Sequence, residues 1–139
     1  MNLWWFYALL SAFFAALTAL LVKVGIKGVD PDLATAVRTI VILVMAWSIV
    51  VFKNGAGGIA VLSKNNIIFL VLSGIATGLS WIFYFRALQL GKVSQVVPVD
   101  RVSVAIAIVL SAVLLREILT PQVILGTLLI LLGTIIVIL

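Results

Sequence analysis

Two charges stand side by side in an apolar run. Asp100 and Arg101 interrupt VVPVDRVSVAIAIVL, Val96 to Leu110, where nearly every neighbour is Val, Ile, Ala or Leu. A carboxylate in such a place can exchange a proton or meet a cationic group. A charge at the bilayer centre costs about 2.5–3.5 kcal/mol on insertion scales, so each of the two needs a partner, water or the interface. Adjacent residues on a helix do not face each other, so they do not cancel as a pair. Arg101 can snorkel to the headgroups. Asp100 is too short to reach far, and needs a wet cavity or a base such as Arg86, Lys23 or Arg38. The competing reading is a cap and interfacial anchor near Pro98, and the sequence leaves both open.

A second polar set lies in the third apolar segment. Ser73, Thr77, Ser80 and Tyr84 recur at three- and four-residue steps, which places them on one helical face. Trp81 stands beside them, and aromatic rings with polar tips next to a polar stripe suit a ligand cavity. Asp100 begins a similar row with Ser103, Ala107 and Ser111. Arg38 sits one or two turns inside the second segment, placed either to snorkel or to face the bundle. The candidate substrate and proton residues are therefore Asp100, Trp81, Tyr84, Thr77, Ser80, Ser103 and Arg38. Gly74 and Gly78 form a GxxxG, and Gly126 and Gly133 lie seven apart, flanked by Thr127 and Thr134. Small residues let helix backbones approach closely in lipid, so these rows read as packing or dimer faces. For the Gly74 row packing is the first reading and a cavity wall the second.

Much other chemistry is absent. The chain has no His and no Cys, and its four acids are not clustered. That removes the usual proton shuttle, the thiol nucleophile and the commonest metal ligands, so neither an enzyme, a metal site nor a cofactor is expected. The run NGAGG lacks the Lys and Ser/Thr that complete a phosphate-binding loop. The net charge of +5 comes from basic residues scattered singly, so no nucleic-acid partner is expected.

The elements that position these residues follow from composition. The 139-residue chain is 65% hydrophobic and 9% charged, with a mean hydropathy of +1.44. Ordinary globular domains are about 45–50% apolar and about 25% charged. The lipid bilayer is thus the medium. Five apolar segments cover about 3–22, 33–52, 65–86, 94–115 and 121–139, the first stopped by Lys23 and the third by Arg86, each near the ~20 residues that cross a hydrocarbon core. They do not alternate as barrel strands do, so they are helices. The fold class is all-α, a polytopic membrane protein of five transmembrane helices. No Lys or Arg precedes the first run, which reads as a span rather than a signal peptide. Trp4, Trp5 and Tyr7 suit an interfacial aromatic belt. The linkers carry turn chemistry: GVDPD ends in an acid, Asp32, placed to cap the second helix. KNGAGG is a Gly-rich loop, and Thr120 with Pro121 opens the fifth helix.

The stretch WIFYFRALQLGKVSQVVPVDRVSVAIAIVLSAVLLREILTPQVILGTLLILLGTII, Trp81 to Ile136, resembles the EamA domain of the drug/metabolite transporter superfamily. The matching positions are Ala87, Leu88, Gly91, Pro98, Glu117, Gly126, Leu129, Ile130 and Gly133, with Arg38 at the family's basic position early in helix two. The run Pro98 to Ser103 resembles short, single-domain members. Thr127 departs from the family's usual Ala. The resemblance implies a secondary transporter of small metabolites or drugs in the inner membrane. It also implies that five helices form one half of an inverted-repeat transporter. The implied partners are a small-molecule substrate and a second half, in a homodimer or in a heterodimer with another half-transporter.

Charge placement bears on orientation. Lys23, Lys27, Arg38, Arg86, Lys92 and Arg101 fall on one side, and Lys53, Lys64 and Arg116 on the other. The positive-inside rule then puts the N-terminus outside and the C-terminus in the cytoplasm. Setting aside Arg38 and Arg101 leaves four bases against three, so insertion in both orientations stays open. Two other functions fit the same residues. One is a flippase for lipid-linked intermediates, using Arg38, Arg86 or Arg101 on a phosphate. The other is a non-transporting assembly subunit built on the small-residue faces.

Overall fold

A computed structural model of the chain describes residues 3–53, 57–58 and 62–139; positions 54–56 of the expected KNGAGG loop lie outside the described residues. The helices are α1 (Trp4–Gly25), α2 (Pro31–Phe52), α3 (Lys64–Leu90), α4 (Val93–Asp100), α5 (Val102–Leu114) and α6 (Pro121–Ile138). Helices α4 and α5 together make one span, Val93–Leu114, so five stretches are long and apolar enough to cross a membrane. The fold is all-α, as the apolar runs require. The chain forms two compact units, a central one of Val22–Gln89 and a terminal one of Met1–Leu21 with Leu90–Leu139.

The central unit shows why the helix ends differ from those read off the charges. Lys23 does not stop α1, because its ammonium donates to the Leu88 carbonyl and is satisfied inside the fold. The chain then turns at Gly28, whose φ of 71° is a conformation glycine adopts without steric cost. Asp30, not Asp32, caps α2. Its backbone is extended (φ −62°, ψ 130°), and its carboxylate accepts from the N–H groups of Asp32 at 2.9 Å and Leu33 at 3.1 Å. Pro31 follows at the first helical position, where its missing N–H costs nothing. Asp32 already lies in the first turn, with its own N–H turned to the cap, so the expected cap was the wrong acid. Such a cap contributes about 1 kcal/mol.

Helix α3 is 27 residues long and runs past Arg86, the expected stop, to Leu90. Arg86 remains helical because Asp32 neutralises it at 2.8 Å. At 1.5 Å per residue α3 is about 40 Å long, more than the ~30 Å hydrocarbon core. It must tilt or carry its last turns into the interface, and those turns hold Arg86 and Gln89.

In the terminal unit α6 packs on α4 and α5. The expected single helix over 94–115 is interrupted at Arg101. Pro98 explains the break: it has no N–H for the Ser94 carbonyl, and its ring crowds the preceding turn. The Pro98 carbonyl accepts from the Arg101 N–H at 3.1 Å, a tightened i+3 bond. It also lies 3.1 Å from the hydroxyl of Thr134, a buried residue of α6. That hydroxyl is shared with the Ile130 carbonyl at 2.9 Å. Thr134 thus gives the carbonyl beside the break a second donor, as neighbouring hydroxyls commonly do where a proline interrupts a membrane helix. After α5, Arg116 takes a left-handed backbone (φ 56°), and the Glu117 N–H reaches back to the Ser111 carbonyl at 3.3 Å.

The buried apolar residues are few: Ala19, Ile26, Phe85 and Leu88. Most Leu, Ile, Val and Phe side chains on the spans are exposed, as a surface that meets lipid should be. Trp4, Trp5 and Tyr7 are exposed at the start of α1, in keeping with an interfacial belt.

Candidate substrate site

The central unit gathers charge and aromatic surface where the first half of α2 passes the second half of α3. Two cross-helix contacts fix the register: Asp32 with Arg86, and Arg38 with Trp81. They step forward along α2 and backward along α3, so the helices run antiparallel here. Trp81, Phe85 and Leu88 recur at four and three residues, one stripe of α3. Phe85 and Leu88 are fully buried, which anchors the stripe.

Arg38 lies against this stripe. Its guanidinium carbon is 4.4 Å from the centroid of the Trp81 ring and 5.3 Å from that of Phe85. Cation–π contacts of this kind contribute about 0.5–2 kcal/mol, more when desolvated. Tyr84 also interacts electrostatically with Arg38. The choice between snorkelling and facing the bundle thus resolves toward the bundle side, onto α3. Thr35, one turn earlier on α2, is buried, and its hydroxyl donates to the Pro31 carbonyl at 2.8 Å.

The neighbouring polar groups are occupied. One Arg86 nitrogen reaches both carboxylate oxygens of Asp32, at 2.8 and 3.1 Å. Gln89 donates to the Val29 carbonyl at 3.0 Å. Asp30 is committed to the cap. The chain's acids are Asp30, Asp32, Asp100 and Glu117, so both carboxylates of the central unit are engaged away from Arg38.

Thr77 and Ser80 do not join this cluster. Thr77 is exposed and donates back to the Ser73 carbonyl at 2.9 Å, and Ser80 is exposed one turn before Tyr84. The glycines contribute no close approach within the fold. A methyl group added at Gly74, Gly78, Gly126 or Gly133 meets no atom within 4 Å.

In the terminal unit Asp100 closes α4, half-buried, immediately before the break. Ser103 is exposed one turn on in α5. A groove of about 320 Å³ lies nearby, walled by Ala16, Ala19 and Leu20 of α1 and by Val93, Ser94, Val97 and Pro98 of α4. Asp100 is not among its walls. The bases named as partners for Asp100 each have an engagement inside the central unit: Arg86 with Asp32, Lys23 with the Leu88 carbonyl, Arg38 with Trp81.

Of the sequence-expected residues, the structure joins Arg38, Trp81 and Tyr84. It adds Phe85, which the four-residue step from Trp81 could have indicated. It also adds Asp32 as the counter-ion of Arg86, for which no local signal exists because the two are 54 residues apart. Among the described residues no group of acids forms a metal site.

Comparison with known proteins agrees with this architecture. Residues 2–139 match the EamA-like transporter family. An uncharacterised transporter encoded in the cobO 3′ region of a Sinorhizobium species is 43% identical over 114 residues, which is 82% of this chain and 81% of that protein. No solved structure matches. Five spans, a charged and aromatic cluster set within them, and a family match over almost the whole length converge: this chain is an integral multi-pass membrane protein belonging to the EamA-like transporter family.

Proposed function

We propose that the chain is a secondary carrier of small organic solutes that works as an antiparallel homodimer of five-helix halves in the inner membrane. The observation that supports this best is Arg38 held on Trp81 and Phe85, a recognition surface within the spans of a member of a transporter family. Trp81 and Tyr84 orient the solute. Asp100, half-buried at a broken helix, is the ionisable coupling group, and discontinuous helices at transporter midplanes serve such sites. Thr77, Ser80 and Ser103 line the path. The α6 glycines Gly126 and Gly133, open in the single chain, seat the second copy, with Gly74 and Gly78 as a further contact.

The antiparallel pairing is supported by the shallow charge split, four bases against three once the intramembrane Arg38 and Arg101 are set aside. So small a bias does not fix one orientation. Cytoplasmic and periplasmic reporters fused in turn after Leu139 test it. Activity from both is expected. A signal from the cytoplasmic reporter alone contradicts the antiparallel homodimer and requires an oppositely oriented partner of different sequence.

A further inference from the structure

We infer that Arg38 is an oxyanion-binding site and that the carried solute bears a carboxylate or phosphate group; this rests on the carrier reading above and adds its substrate class. Arg38 is the eighth residue of α2, about 10 Å along the helix from its start. A guanidinium at such a depth is costly and normally finds an acceptor. It carries five N–H donors and no acceptor. Among the described residues none of those donors meets a carbonyl, hydroxyl or carboxylate; its contacts are the rings of Trp81 and Phe85 and the electrostatic one with Tyr84. The other arginine of the cluster, Arg86, has taken Asp32, and Asp30 caps α2. The central unit therefore has no remaining acid for Arg38, and the cluster has a local excess of positive charge.

The geometry suits a planar oxyanion. The rings of Trp81 and Phe85 lie against the guanidinium, and a guanidinium with no acceptor on its N–H fork can give two parallel bonds to a carboxylate or phosphate. Lysine, a point charge without that fork, would not substitute well. The ion pair with Arg86 engages the Asp32 carboxylate of the same helix. The ligand is thus defined by its oxyanion, whether that belongs to a water-soluble metabolite or to a lipid headgroup.

Trp81 is a built-in reporter, since a ligand that pulls on the guanidinium changes the field on the indole. Trp4, Trp5 and Trp47 are exposed, and W4F/W5F/W47F isolates the Trp81 emission. The purified chain in neutral detergent is titrated with inorganic phosphate, with acetate, and with micelles containing phosphatidylglycerol. A saturable emission change is expected. It should weaken about ten- to a hundredfold in R38Q, the range for hydrogen bonds to a charged group, and be only partly retained in R38K. A response to the free anions assigns the site to soluble solutes, and a response to the anionic lipid alone assigns the same oxyanion chemistry to a headgroup. No response to any probe in the parent, or an equal response in a folded R38Q, overturns the inference. Because this is binding without transport, a positive result alongside failed uptake would count against the carrier reading and leave the site standing.

Discussion

Asp100→Asn is expected to lower gradient-driven uptake into proteoliposomes to the level of protein-free vesicles while leaving the fold intact. The carboxylate closes α4 at the only interruption within the described spans, and it is half-buried. In the proposed carrier this carboxylate is the group that couples a proton to the conformational cycle, and it stands where the span is broken. Asn keeps the volume and hydrogen-bonding capacity of the side chain and cannot titrate. No ion pair or hydrogen bond to another described residue is lost, so the thermal midpoint in detergent should hardly change. Asp100→Glu should retain part of the uptake. Full activity in Asp100→Asn would remove Asp100 from the coupling machinery and leave it an interfacial anchor.

If the chain works as the proposed homodimer, replacing Gly126 and Gly133 together by Leu is expected to separate the two copies. At both positions an added methyl group meets no atom within 4 Å in the single chain, so the thermal midpoint of the variant in detergent serves as the control for internal strain. Leucine is also the better helix former. At an interface where backbones approach across small residues, added bulk costs about 1–3 kcal/mol as overpacking. That corresponds to about five- to 150-fold in dimer Kd. Förster transfer between labelled copies in liposomes at varied protein-to-lipid ratio measures it. An unchanged dimer with the α6 pair replaced would move the interface elsewhere, with the Gly74–Gly78 face as the next place to substitute.

How legible these features were depends on whether local physics decides them. The five spans were plain, because their length and lack of charge leave no other structure in lipid. The ends were not. Lys23 and Arg86 looked like helix stops, yet both continue their helices because partners far along the chain, the Leu88 carbonyl and Asp32, satisfy them. The cap fell to Asp30 rather than Asp32 through a backbone conformation on the near side of Pro31. The break at Arg101 had a visible cause in Pro98. What a sequence cannot display is the Thr134 hydroxyl that meets the Pro98 carbonyl from 36 residues away. In the site, Arg38 and Trp81 were both candidates, but their contact depends on the α2–α3 register. Thr77 and Ser80 shared a face with Tyr84 by spacing and still remain outside the cluster, because Thr77 satisfies its hydroxyl on its own helix. Small-residue rows look the same in sequence whether they pack inside the chain or outside it, and in the structure an added methyl group at these glycines meets no atom within 4 Å.

The most direct test of the carrier is solute-driven flux through the purified chain alone. Proteoliposomes with a trapped pH-sensitive dye are given an inward proton gradient and challenged in turn with small carboxylates and phosphate esters. A saturable, solute-dependent proton flux above that of protein-free vesicles, abolished by Asp100→Asn, is the predicted result. The absence of flux or of solute counterflow for every member of the series, from protein that is folded and dimeric, would contradict it and leave a membrane subunit that does not carry.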